Sequence, residues 1–359
     1  MAQASVARTA DGAPLGLAVR LGVGGGALGL ILVGVGLASL AVGPVAIPLA
    51  SIGAIALSPL GISLEAPDPT HEAVLLHLRL PRIVVGALVG MALAVSGATM
   101  QGVFRNPLAD PGVLGVSAGA ALGAVVAIAT GLGQRFTLGL PLCAFTGAMG
   151  AMLAVYALAW LGGRPSPTTL LLAGVAISAF LGALLSFVLM ALSPYSDALR
   201  GALYWLLGGL EGRGWHHVRL AFPFILGGTG VIVGLARELN LLLLGDDQAR
   251  ALGVRVGVVR MLLLTLASLV TGVAVAVSGS IAFVGLVVPH ALRLVFGPDN
   301  RIILPLSGLA GAAFLVLADT IARTAVAPAE VRVGVITSLV GAPFFLFLLL
   351  RMKHKGHIG

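Results

Sequence analysis

Ten apolar stretches, most of them close to twenty residues long, recur along this chain, and most of its charge lies in the short segments between them. An α-helix rises about 1.5 Å per residue, so a run of about 20 apolar residues crosses the ~30 Å hydrocarbon core of a bilayer with its backbone hydrogen-bonded internally. The runs cover residues 15–42, 82–103, 113–130, 138–161, 168–192, 218–235, 258–277, 281–296, 302–322 and 333–350. A further apolar piece at 202–210 is too short to span and reads as a half-helix at the membrane surface. It lies inside a long connection, 193–217, which we take as an outer-face gate segment. The expected fold is therefore an all-α polytopic membrane protein forming one transmembrane permease domain over residues 1–359.

Composition excludes the soluble alternative. Charged residues make up 9% of the chain and mean hydropathy is +1.09, whereas soluble domains carry about 25% charged residues. The 51 glycines suit helices that pack closely in lipid. A net charge of +8 arises from single basic residues scattered through loops, which argues against nucleic acid as a partner. One cysteine, Cys143, allows no intrachain disulfide. The first run is too long for a signal-peptide core and reads as a retained helix. With the N-terminus inside, 13 of the 21 Lys and Arg fall on the cytoplasmic side and 8 on the other, so both termini are expected in the cytoplasm.

Short motifs recur between the two halves. Ala94-Val95-Ser96-Gly97 returns as Ala276-Val277-Ser278-Gly279, and Ser117-Ala118-Gly119-Ala120 resembles Ser307-Gly308-Leu309-Ala310-Gly311. In the topology above the tetrapeptides lie at opposite faces. This predicts an inverted repeat relating spans 2–5 to spans 7–10, a design common in transporters.

The stretch 78–124 is the richest in signal. It opens Leu78-Arg79-Leu80-Pro81-Arg82, passes through Ser96-Gly97-Ala98-Thr99-Met100-Gln101-Gly102 to Arg105-Asn106-Pro107-Leu108-Ala109-Asp110-Pro111-Gly112, and ends Leu114-Gly115-Val116-Ser117-Ala118-Gly119-Ala120. Pro107 and Pro111 stop a helix, and Asn106 and Asp110 favour a turn. The small residues beyond let backbones approach.

These residues resemble the signature of the FecCD family, permeases for ferric siderophores, haem and vitamin B12 in type II ATP-binding-cassette importers. Further similar segments are Trp205 to Leu210, Asn240-Leu241, Gly245 to Val254, Ser278 to His290, Ala318 to Arg323, Gly334 to Thr337 and Gly341 to Phe345. One departure is Arg332, where the family usually has proline, which leaves the start of the last helix open. The resemblance implies a homodimer with two copies of a cytoplasmic ATPase and a periplasmic substrate-binding protein, in a bacterial inner membrane. It makes residues 238–257 the cytoplasmic coupling loop, with Asp246, Asp247, Ala249, Arg250, Leu252 and Gly253 meeting the ATPase; a plain solvated turn is the competing reading. It makes Arg79, Arg82 and Arg323 docking residues for the binding protein. Each also reads as an interfacial snorkelling arginine, and Arg323 as an i,i+4 partner of Asp319.

The chain has no catalytic, cofactor or metal motif. Its two lysines, Lys353 and Lys355, belong to no P-loop, so ATP hydrolysis requires a separate subunit. Gln101 and His290 read as structural, and Asp319 stands near a span end. A secondary transporter driven by an ion gradient would want carboxylates at mid-membrane, and those here sit in loops or at span ends. Candidate translocation-path residues are Leu185, Phe187, Met190, Tyr204 and Trp205. Ser196-Asp197-Ala198-Leu199-Arg200 before Tyr204-Trp205 resembles haem permeases, so haem is the expected cargo, with a ferric siderophore or cobalamin as alternatives. His216 and His217 are adjacent at the outer end of the sixth span, where an interfacial role is expected rather than stable haem ligation.

Overall fold

The computed structural model describes residues 16–43, 45–58, 68–136, 138–161, 166–192, 194–326 and 329–354. Arg8, Arg164 and Lys355 of the basic tally, and Ser193 of the gate segment, lie outside them. Regular structure among the described residues is helical, apart from one isolated bridge between Val326 and Ala329. In chain order the helices are α1 (Leu17–Ala41), α2 (Leu49–Leu57), α3 (Pro69–Phe104), α4 (Val116–Ala129), α5 (Gly139–Leu161), α6 (Pro167–Ala191), α7 (Ser196–Leu206), α8 (Trp215–Gly234), α9 (Ala236–Leu243), α10 (Asp246–Ala251), α11 (Val256–Ser278), α12 (Val284–Phe296), α13 (Asn300–Thr324) and α14 (Val333–His354).

All ten expected spans correspond to helices. Seven (α1, α3, α5, α6, α8, α11 and α13) are long and apolar enough to cross a membrane unaided. The 14-residue α4 and 13-residue α12 are not, since they rise only about 20 Å. Each is completed by non-helical chain: α4 follows the 3₁₀ turn Pro111–Leu114, and α12 follows residues 279–283. One start differs markedly from expectation. The second span begins at Pro69, thirteen residues before Arg82, because a π-helical stretch Val74–Arg79 joins it to a capped turn at Asp68. The last begins at Val333, as expected, directly after the unexpected Arg332.

α3, α11 and α13 form the centre, and small residues let them do so. A Cβ on Gly90 would lie 2.1 Å from the Gly311 carbonyl oxygen, and one on Gly97 would lie 2.0 Å from that of Gly285. Gly119 and Gly147 bring α4 and α5 together equally tightly, at 2.2 Å. In contrast α1 and α6 have few fully buried residues along their apolar lengths.

Helix directions give the molecule two distinct ends. Trp215, at the start of α8, donates its indole N–H to Leu76 O at 2.9 Å, and Arg105, just past α3, faces Asp246 at 3.8 Å. The α7 end and the α10 end are thus separated by the ~30 Å length of α8. α3 and α5 run toward the α10 end and α4 and α6 away from it, while α11 and α13 run the opposite way to α3 and α5. This is the inverted order expected for spans 2–5 and 7–10. The short motifs do not give its register. Gly97 lies seven residues inside the end of α3 whereas Gly279 lies past the end of α11, and Ser117 and Ser307 fall in α4 and α13, which are not counterparts.

Candidate functional site

At the α7 end the backbone is stapled into one unit. Gly209 N–H donates to Ser278 O at 2.7 Å, and Gly334 N–H to Gly208 O at 3.4 Å. Gly208 has φ +65°, and a Cβ there would meet Ser280 O at 2.2 Å. These contacts join the turn after α7 to the ends of α11 and α14 around a cavity of about 820 Å³. Its wall includes Tyr195, Tyr204, Trp205, Glu211, Arg213 and Arg332. Arg332 pairs with Glu211 at 2.9 Å, and its guanidinium carbon stands 4.4 Å above the Tyr204 ring.

Of the five expected path residues, Tyr204 and Trp205 share this cavity. Phe187 and Met190, about two-thirds exposed, lie on the open apolar face of α6, and Leu185 packs inward. Those three are therefore not lining residues of the cavity.

The three expected docking arginines line a second cavity at the same end, about 390 Å³, together with Arg213, Glu211 and Glu330. Their surroundings correct the picture of free outer-face cations. Arg79 is buried and donates to the carbonyls of Leu40, Ala41 and Val45, tying the π-helical stretch to the chain leaving α1. Arg323 is buried and donates to Ser39, not to Asp319. Asp319 instead receives Arg82, which also reaches Glu330 at 3.0 Å. Such carbonyl-rich niches replace the water a guanidinium loses on burial.

His217 is also engaged. Its Nδ1 accepts from Gly214 N–H at 3.3 Å and its Nε2 lies 3.2 Å from Arg213 Nη1, while its ring stacks beside His216. Gln101 is buried within a polar link, donating to Gly285 O at 3.1 Å and accepting from Arg293, as befits a structural role.

At the opposite end, α9 and α10 form a pair of short helices. Asp246 is its hub, 2.7 Å from Arg260 and within 4 Å of Arg105 and Arg250. The Arg260 hydrogen bond holds the Asp246 carboxyl below the usual range, against the opposing effect of burial. α10 closes through Gly253, at φ +86°, with Val254 N–H bonded to Ala249 O and Gly253 N–H to Arg250 O, a Schellman arrangement. Asp247 and Leu252 project outward, whereas Ala249 is fully buried and offers no contact surface. A neighbouring polar link, Asn240 to Asp299 at 2.7 Å and Asn300 to Asn240 at 3.0 Å, fastens α9 to the start of α13. Arg301 and Asn240 hold Asp299 down to about 2.

Sequence reasoning did not single out Glu211 and Arg213. Their signal was available: in a chain with 9% charged residues, two charges within four residues of a Gly-Gly pair are conspicuous.

The molecule is a bundle of inverted helix repeats with an aromatic-walled cavity at one end and a polar two-helix turn at the other, an arrangement in keeping with a transport permease. The chain belongs to the FecCD transport family, whose model matches residues 30–351. It is 48% identical over 309 residues to the cobalamin import system permease protein BtuC of Halobacterium salinarum, covering 85% of this chain and 82% of that one. It is 44% identical to the hemin transport system permease protein HmuU of Yersinia pestis over 85% of this chain and 92% of that protein. The fold also matches a solved metal-chelate type ABC transporter in an inward-facing conformation, with TM-score 0.79 and 32% identity over 92% of this chain and 99% of that one. The chain is thus a multi-pass inner-membrane ABC importer permease of the class that handles vitamin B12, haem or metal chelates.

Proposed function

We propose that this chain carries haem into the cytoplasm as a homodimer, with two copies of a separate ATPase at the α10 end and a binding protein at the α7 end. The observation that carries the cargo reading is the 820 Å³ cavity walled by Tyr195, Tyr204 and Trp205. Flat aromatic faces suit a planar macrocycle through offset stacking. In this reading both termini are cytoplasmic, and Asp246, Asp247, Arg250, Leu252 and Gly253 form the ATPase contact, with Ala249 packed beneath them. The exposed apolar face of α6, with Phe187 and Met190, faces the second copy and the path between them.

Binding-protein docking falls on the second cavity. Its four arginines against two carboxylates leave an excess of two positive charges, which favours an acidic partner. Arg82 is the reachable one, while Arg79 and Arg323 contribute charge from beneath.

Cobalamin is the second reading, favoured by the Halobacterium salinarum relative. Proteoliposomes holding the permease, its ATPase and the binding protein distinguish the two. ATP-dependent uptake of haem that excess cyanocobalamin leaves unchanged supports haem; uptake of cobalamin alone overturns it.

A further inference from the structure

We propose that Arg213 and Arg332 form a carboxylate-binding subsite in the α7-end cavity, which grips an acidic side arm of the cargo as it enters. The inference rests on the haem reading, since haem carries two propionates.

Four charged side chains line the cavity, two of each sign: Arg213, Arg332, Glu211 and Asp197. They are not equivalent. Asp197 is exposed and the Glu211 side chain is 58% exposed, so water screens both carboxylates. Arg332 has its partner in Glu211 and lies across Tyr204. Arg213 is different: it forms no ion pair among the described residues, and its Nε is buried without a hydrogen-bond partner. Its Nη1 faces His217 Nε2, but His217 Nδ1 already sits opposite the Gly214 N–H. A neutral imidazole has one acceptor nitrogen, so His217 serves one of these donors and not both.

Arg213 is thus a half-buried cation with at least one idle donor, beside a second guanidinium, at the wall of a cavity large enough for a macrocycle edge. Burial, and then the Arg332 charge, press its pKa down to about 10, while Glu211 opposes them. At neutral pH it stays charged, in a setting that an added anion relieves. A guanidinium presents a planar fork that takes a carboxylate bidentately, and such charge-assisted bonds are the strong ones. Arg332 stands where the family resemblance leads one to expect proline, which has neither charge nor donor, so the paired site is a feature of this chain. Trp205 lies in the same wall, buried at 7% exposure and close to anything held in the cavity.

Trp205 also supplies the readout, since the chain has three tryptophans. With Trp160→Phe and Trp215→Phe it is this chain's only indole, and the difference from the same complex carrying Trp205→Phe reports its quenching by a porphyrin in the cavity. Titrate the permease–ATPase complex in nanodiscs with haem and with haem dimethyl ester, which lacks free carboxylates. The inference predicts haem binding about tenfold tighter than ester binding. Arg213→Gln and Arg332→Gln each weaken haem about tenfold and leave the ester unchanged; retained ester binding is also the check that each variant is folded. Arg213→Lys restores haem binding in part. Equal affinity for haem and ester, equal loss of both in the variants, or no quenching of Trp205 by haem overturns the subsite. The haem reading fails separately: no ATP-driven haem uptake, with carboxylate-dependent quenching intact, removes haem import and leaves the subsite standing.

Discussion

Arg82 grips Asp319 with two parallel hydrogen bonds, Nε to Oδ2 and Nη2 to Oδ1, both 2.9 Å, across 237 residues of sequence. The pair pins α3 to α13 at the α7 end, with the Asp319 side chain only 3% exposed and that of Arg82 13%. Breaking one side of a buried pair strands a charge and costs about 3–5 kcal/mol. Arg82→Gln alone therefore destabilises the bundle by that order, and Asp319→Asn by less, since Glu330 still holds Arg82. The double variant loses markedly less than the sum, measured by SDS-induced unfolding in mixed micelles.

Asp299 gives a pH-dependent clamp. Its folded-state pKa is depressed from 3.8 to about 2 by Arg301 and Asn240, with desolvation opposing. A depressed carboxylate stabilises the folded state above its unfolded value and loses that contribution as pH falls through the folded one. The stability gap between wild type and Asp299→Asn should be constant above about pH 4 and close between about pH 4 and pH 2. An acid titration of unfolding in nanodiscs checks this.

Glycines at helix crossings and on lipid faces should respond oppositely. A Cβ on Gly97 meets the Gly285 carbonyl at 2.0 Å, whereas one on Gly29 meets nothing within 4 Å. Gly97→Ala should destabilise by at least the ~1–3 kcal/mol typical of overpacking. Gly29→Ala should be neutral or slightly stabilising, since alanine exceeds glycine in helix propensity by about 1 kcal/mol. Thermal unfolding of the two variants side by side decides it.

Removing a carboxylate from the docking cavity should strengthen its pull on an acidic binding protein. Glu330 is partly exposed and partners Arg82, so Glu330→Gln frees positive charge at a cost typical of exposed pairs, about 0.2–1 kcal/mol. Stopped-flow association in nanodiscs should become faster and more salt-dependent. An unchanged rate and salt slope would remove this cavity from the docking surface.

The architecture was legible in the chain because lipid leaves few choices: apolar runs of spanning length had to be helices, and all ten are. The polar turn at the α10 end was legible for a related reason, as Asp246, Asp247 and Arg250 crowd one short polar segment between long apolar ones. What stayed hidden depends on long-range packing. Arg79 and Arg323 look like interfacial anchors by position, and only the packing of Ser39, Leu40, Ala41 and Val45 against them turns them into buried donors. α12 reads as a full span because residues 281–283 are as apolar as the helix they precede, although Phe283 adopts φ +69° and starts the helix late. Arg213 shows in the sequence only as a rare charge; its idle donor depends on how the chain folds it against His217, four residues on, and Arg332, far along the chain.

We propose that ATP hydrolysis enters this permease at the α10 turn. Leu252 is 59% exposed on that turn, and Cys143 is the chain's only native thiol. Replace Cys143 with Ser and Leu252 with Cys, assemble the variant with its ATPase carrying single cysteines around its permease-facing cleft, and oxidise. The account predicts a disulfide between Cys at 252 and the cleft, with no crosslink from a control cysteine at Asp197 on the far end. A crosslink from position 197, or intact assembly with none from 252, would contradict it.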